Sequence, residues 1–227
     1  MKCHLLLFMS LLTANLTFAA NRGDPSSLKL SIYKMAVSTS PLCTNLTTVI
    51  DNGDTPSEVE FIGGINIGSG TIVNGTYPCV VIEFNDNIKF TPNFNSDGGN
   101  CLSSAESTLD VCRDYNSNNI VEDGEFSTLI DGSISNCSSA VTGDRVAMYL
   151  TTASTLSNGG DSFNPPTTNP DSTKGLNLGS ALVISGTSTA KFVVNGTAKV
   201  CDGDDSACNG SAGQCEMEPP LFSFTQL

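Results

Sequence analysis

The chain has 227 residues with 10 Lys+Arg against 23 Asp+Glu, a formal net charge of −13. An acidic surface of this kind argues against nucleic acid or anionic lipid as partners, because both are held by an excess of Lys and Arg. The one histidine is His4, so the chain beyond its leader has no imidazole for Ser-His-Asp or Cys-His catalysis, nor for a histidine metal site.

The first twenty residues read as a signal peptide: one charge at Lys2, an apolar run from Leu5 to Leu12, and small residues at Ala19 and Ala20. The run is too short to span a bilayer, and no later stretch is long and apolar enough to do so. No cysteine follows the run in lipoprotein fashion, so no lipid anchor is expected there. Loss of Lys2 takes the charge from −13 to −14. Residues 21–227 are then long enough for one β-rich domain with its own core, in the periplasm, at a cell surface or outside the cell.

Asn21 to Ser26 read as a loose polar leader, in which Arg22-Gly23-Asp24 matches a three-residue integrin motif by accident. Leu28, Leu30 and Ile32 alternate with Lys29, Ser31 and Tyr33, which predicts a strand to about Val37. A second strand covers Leu46 to Ile50. Asp51 to Asp54 is a turn cluster, and Val59 to Ile62 and Ile65 to Val73 are short strands. The stretch from Val73 to Pro92, V-N-G-T-Y-P-C-V-V-I-E-F-N-D-N-I-K-F-T-P, is the strongest local signal. Asn74-Gly75 predicts a tight hairpin turn, and the nearly continuous apolar run from Cys79 to Phe84 predicts a central strand covered on both faces. Glu83 interrupts that run and is expected to face solvent or a partner.

Polar residues to Ser107 predict a long loop, with Ser103 to Val111 the one short helical candidate. Leu109 to Cys112, Phe126 to Ile130 and Val146 to Thr152 follow as strands. Asn158 to Asn177 is an excursion rich in Gly, Pro, Asn and Asp, the kind of loop that carries binding residues. Lys191 to Val200 reads as a second hairpin about Asn195-Gly196, and Leu221 to Phe224 adds a last strand. Short strands between turn signals predict an antiparallel β-sandwich, immunoglobulin-like or a related Greek key, with long polar loops. Without a Trp to pack on a bridge, Cys43 and Cys79 do not make it a true immunoglobulin domain.

Eight cysteines remain beyond Cys3: Cys43, Cys79, Cys101, Cys112, Cys137, Cys201, Cys208 and Cys215. An even number in an exported chain reads as disulfides, and the absence of C-x-x-C pairs argues against zinc. Local closures, Cys101 with Cys112 and Cys201 with Cys208 or Cys215, are the expected ones, while the full connectivity stays open.

The sharpest motif runs from Asp114 to Glu125. Asp114, Asn116 and Asn118 fall at positions one, three and five of a twelve-residue loop, with Glu122 at nine and Glu125 at twelve, so that oxygens converge as a hard cation requires. Over these residues the chain resembles the calcium loops of EF-hands and dockerin modules, with Asn119 where they carry Gly. That resemblance implies calcium as a cofactor, and an ordinary polar loop is the competing reading. Asp202, Asp204 and Asp205 form a second acidic cluster, expected to face water. Five N-x-S/T matches, at Asn45, Asn74, Asn136, Asn195 and Asn209, are about what so Ser/Thr-rich a chain yields by chance, so no glycosylation is inferred. The S-x-x-K matches at Ser26, Ser31 and Ser188 lie in strand-like segments, where residues three apart face opposite ways.

The runs G-T-Y-P-C-V-V-I-E, F-N-P-P and G-L-N-L-G-S, at Gly75, Phe163 and Gly175, resemble exported β-sandwich proteins of predatory Gram-negative bacteria, families with no assigned activity. The resemblance implies a periplasmic or surface address. The expected function is accordingly a non-enzymatic structural, adhesion or protein-interaction domain, with a protein or cell-surface ligand. A calcium-dependent binding module for a sugar or protein is the alternative, and a two-carboxylate hydrolase the third reading.

Overall fold

The computed structural model describes residues 21–67, 72–111, 126–136, 143–157, 161–185, 190–205, 208 and 213–226. Among them the regular elements are all strands. In chain order these are β1 (Arg22–Gly23), β2 (Pro25–Ser38), β3 (Thr47–Asp51), β4 (Ser57–Glu60), β5 (Ile65–Ile67) and β6 (Gly75–Tyr77). Next come β7 (Cys79–Asn85), β8 (Asn87–Pro92), β9 (Ser107–Asp110), β10 (Phe126–Thr128), β11 (Ile134–Asn136) and β12 (Arg145–Thr151). The last six are β13 (Leu176–Asn177), β14 (Leu182–Ile184), β15 (Ala190–Asn195), β16 (Val200–Asp202), β17 (Cys215–Met217) and β18 (Leu221–Gln226). The Ser103 to Val111 helix does not form: Ser107–Asp110 pairs with β8 instead.

The 14-residue β2 is the spine. Along one edge it pairs antiparallel with β7 over Ile32–Ser38 and with β8 over Pro25–Lys29, so β7 and β8 act as one long partner interrupted at Asp86. Along its other edge lie β3 and β4. Beyond the ribbon, β12 pairs with β7 and β9 with β8, and the sheet curls into a half-barrel. The architecture is the expected all-β, antiparallel, sandwich-like one, with a short parallel contact between β12 and β13.

Alternation decides the faces. Leu28, Leu30 and Ile32 point into the main core, and after the register shift at Tyr33 the pattern resumes with Met35 and Val37. Val80, Ile82 and Phe84 of β7 join them. Opposite stands the sheet β18–β15–β5, whose Phe192 lies fully buried between Phe61, Phe222 and Phe224 at centroid distances of 6.0, 5.7 and 5.0 Å. The other face of β7 is covered too. Cys79 and Val81 pack with Ala147, Tyr149 and Cys43 in a second, smaller cluster. A strand buried on both faces reads as a continuous apolar run, as Cys79 to Phe84 does.

Three disulfides lie among the described residues: Cys43–Cys79, Cys101–Cys215 and Cys201–Cys208. Cys101 therefore does not close locally onto Cys112. It crosses a sequence separation of 114 to tie the loop after β8 to β17. Cys112 and Cys137 lie outside the described residues.

Both expected hairpins are absent. β6 pairs with β14, and neither Asn74 nor Gly75 has positive φ. β15 and β16 belong to different sheets, because the turn between them breaks the ladder: Asn195 Oδ1 accepts the Thr197 amide and Ala198 takes φ 55°. Gly196 serves close approach, since a Cβ there would stand 2.6 Å from Pro25 Cγ. The leader is ordered as well. Arg22 makes a two-pronged ion pair with Glu218, and Asp24 Oδ1 accepts the Ala198 amide, so the Arg-Gly-Asp side chains face their own protein.

Candidate functional site

Four of the buried carboxylates organise the polar parts of the molecule, three of them where strands end or loops begin and one, Glu83, inside β7. The first is Asp86, 1 % exposed, in the interruption between β7 and β8. There the flanking strands diverge: β9 ends at Asp110 and β12 begins just after Asp144. Asp86 N–H donates to Asp144 O (3.0 Å), and Asp144 N–H donates to Asp86 Oδ1 (2.7 Å). Asp86 O accepts the amides of Ile88 (3.0 Å) and Val111 (3.1 Å). Asp110, half-buried at the end of β9, brings a second carboxyl near Asp86. Burial, then the charge of Asp110, push the Asp86 carboxyl up to about 7, against the lowering effect of the Asp144 amide.

Glu83 is the second. It does not face solvent: at 2 % exposure it sits within the smaller cluster's face of the sheet, where Oε2 accepts the Ile130 amide (3.1 Å) and Oε1 lies 3.6 Å from Arg145 Nε. Arg145 in turn reaches Gly53 O and Asp54 and covers the Tyr33 ring at 3.9 Å. The hairpin β10–β11 is thereby held to the sheet by polar contacts. Ser127 Oγ accepts the Ala147 amide, and Tyr149 Oη donates to Thr128 O. Burial, then the negative charge of Glu83, raise the Tyr149 phenol above its ordinary value, so it acts as a neutral donor.

Asp171 is the third, inside the Asn158 to Asn177 excursion. Its carboxylate accepts the amides of Thr167 (2.9 Å), Thr173 (2.8 Å) and Lys174 (3.1 Å) and the Thr173 hydroxyl (2.9 Å). The Thr167 amide, followed by that of Thr173, holds this carboxyl well below the usual range. The loop is folded around one anion, and its tip, residues 167–170, stays exposed.

The fourth corrects an expectation. Asp202 does not face water: at 1 % exposure it accepts hydrogen bonds from Ser96 Oγ, Asn100 Nδ2 (2.7 Å) and the Asp204 amide (3.0 Å). Burial alone would raise its carboxyl, yet these donors hold it below the ordinary range. Asp204 and Asp205 are not drawn in to the same depth. The network joins the loop after β8 to the segment that Cys201–Cys208 closes.

The calcium-loop residues Asp114, Asn116, Asn118, Glu122 and Glu125 all lie outside the described residues. Among the described residues no group of three or more His, Cys, Asp or Glu has the arrangement of a metal site, and no helix is long and apolar enough to cross a membrane. Asp86 and Asp171 carry no motif. Their one signal in sequence is position: Asp86 breaks a long β pattern, and Asp171 follows Asn169-Pro170 with threonines at 167, 168 and 173 around it. Compared with protein-family models, with curated proteins and with solved structures, the chain matches none.

Proposed function

We propose that the chain is an exported, non-enzymatic β-domain that binds a protein or cell-surface ligand through loops built in advance. The observation that carries this reading is the Asp171 loop, whose backbone amides converge on one buried carboxylate while residues 167–170 are left outside. A loop ordered before binding loses less conformational freedom on contact, which favours recognition by polar side chains. The signal-peptide pattern and the disulfides support the exported address, and the resemblance noted above favours a periplasmic or surface one. The hydrolase reading is weaker, because glycosidase pairs stand about 5 to 9.5 Å apart with room for water or sugar. Asp86, beside Asp110, is instead buried, with its Oδ1 accepting the Asp144 amide.

Fluorescently labelled protein applied to Gram-negative cell envelopes and to a panel of purified polysaccharides is expected to bind one of them saturably. Thr168→Arg, at the exposed tip, is expected to weaken that binding at least about tenfold while the circular dichroism spectrum stays unchanged. Hydrolysis of a glycan or ester by the purified protein, abolished by a single Asp or Glu change, would overturn the reading.

A further inference from the structure

An Asn-Gly pair is a point where a chain can react with itself, because glycine has no Cβ to shield its backbone nitrogen from the preceding side-chain amide. The described residues hold three such pairs, Asn52-Gly53, Asn74-Gly75 and Asn195-Gly196, and all three asparagines are exposed. Exposure therefore does not separate them, and tethering does. Asn52 Nδ2 donates to Ile32 O (2.9 Å), and the Gly53 amide donates to Asp51 Oδ1 (2.9 Å). Asn195 Oδ1 accepts the Thr197 amide (3.0 Å), and Gly196 is buried so closely that a Cβ there would stand 2.6 Å from Pro25 Cγ. Asn74 differs: among the described residues its side chain takes no hydrogen-bond partner. The pairs at Asn158 and Asn209 lie outside the described residues.

Asn74 sits in a bend at the mouth of β6, and Tyr77 Oη closes that bend by donating to Val73 O (2.6 Å). The main chain is thereby pinned at Val73 and Tyr77, while the Asn74 amide between them can turn back onto it. We propose that Asn74-Gly75 is a self-modification site, at which the Gly75 nitrogen attacks Asn74 Cγ. The new C–N bond closes a succinimide ring, the Gly75 amide proton passes to solvent, and the side-chain nitrogen leaves as ammonia with a proton from water. A water molecule then opens the ring at one carbonyl or the other, leaving an aspartyl or an isoaspartyl residue. The balance is one amide and one water in, one carboxyl group and one ammonia out, with nothing oxidised or reduced. Both products carry a new negative charge. The isoaspartyl form also adds a backbone carbon within the span that Tyr77 closes.

The test is to hold the folded chain in mildly alkaline buffer, digest samples at intervals and follow each Asn-Gly peptide by mass and by chromatographic separation of the two products. Asn74 is expected to convert at least about fivefold faster than Asn52 or Asn195, the factor that one retained hydrogen bond on each tethered side chain supplies. In the reduced chain unfolded in urea the tethers are gone, and the three rates are expected to converge. Gly75→Ala is compatible with the fold, since φ there is not positive and the added Cβ would meet Tyr77 at 3.5 Å, an ordinary contact. It is expected to suppress conversion at Asn74 and to leave Asn52 and Asn195 as they were. The comparison within the native chain stands even should that variant not fold. Conversion of Asn74 no faster than that of the two tethered asparagines in the folded chain would overturn the assignment. An undiminished lead for Asn74 in the unfolded chain would do the same, because the fold would then have no part in the choice.

Discussion

Asp171 shows what a single side chain does in this molecule. Among the described residues it has no cation as a hydrogen-bond partner, and its charge is held by three amides and by threonine hydroxyls. Hydrogen bonds to a charged group contribute about 1.5–3 kcal/mol each in net terms, and a buried donor left unpaired costs a further share. Asp171→Ala is therefore expected to destabilise the fold by about 3 kcal/mol, seen as a lower urea midpoint, with the loss centred on residues 161–177. The pH dependence is opposite in sign to that of a carboxyl raised by burial. This carboxyl is depressed in the folded state, so its contribution is present above the unfolded value and is lost as pH falls through the folded one. Asp171→Asn should flatten the acid limb of the stability profile below about pH 4, measured by thermal melts. An unchanged acid limb in a folded variant would count against the role given to this anion.

Among the elements, strands buried on both faces and strands with clean alternation were legible, and pairing partners were not. β7 declared itself by its apolar run and β2 by its period of two, because both patterns record burial. The two Asn-Gly sites misled for a physical reason. Such a dipeptide marks a change of chain direction, and whether the strands on either side then pair depends on distant residues, here β14 for β6 and β17 for β16. Glu83 misled likewise, since sequence shows a charge but not the Ile130 amide that receives it. The hairpin β10–β11 rests on that contact. Glu83→Gln keeps an acceptor and is expected to change amide exchange in the hairpin little. Glu83→Leu leaves the Ile130 amide unpaired in a part-buried site and is expected to speed exchange of hairpin amides by about tenfold, a local cost of about 1–2 kcal/mol. Equal protection in both variants would mean that the hairpin is held by its other contacts alone.

For the whole molecule the disulfides define a hierarchy. In the chain-entropy account a bridge stabilises more as it closes a longer loop, about 5 kcal/mol for Cys101–Cys215, about 4 for Cys43–Cys79 and about 2.5 for Cys201–Cys208, with sequence separations of 114, 36 and 7. Replacing each pair by serine or alanine is expected to lower the thermal midpoint in that order, by calorimetry on the folded variants. A larger loss from the short bridge than from the long one would show that local packing outweighs chain entropy here. None of this order was visible in the cysteine spacings, which suggested that Cys101 would close locally. The longest bridge joins segments brought together by the fold, beside the Asp202 network that ties the same loop to the neighbouring strand β16.

The double-edged position of β2 has a mechanical meaning. Tension along this strand meets hydrogen-bond rows on both of its sides at once, β7 and β8 on one and β3 and β4 on the other. The strand cannot be peeled off bond by bond from an open edge, as a terminal strand can. Traction on the adjoining Arg22–Asp24 segment first loads the Glu218 ion pair and then places the ribbon in shear, the direction in which a ladder shares its load among many bonds.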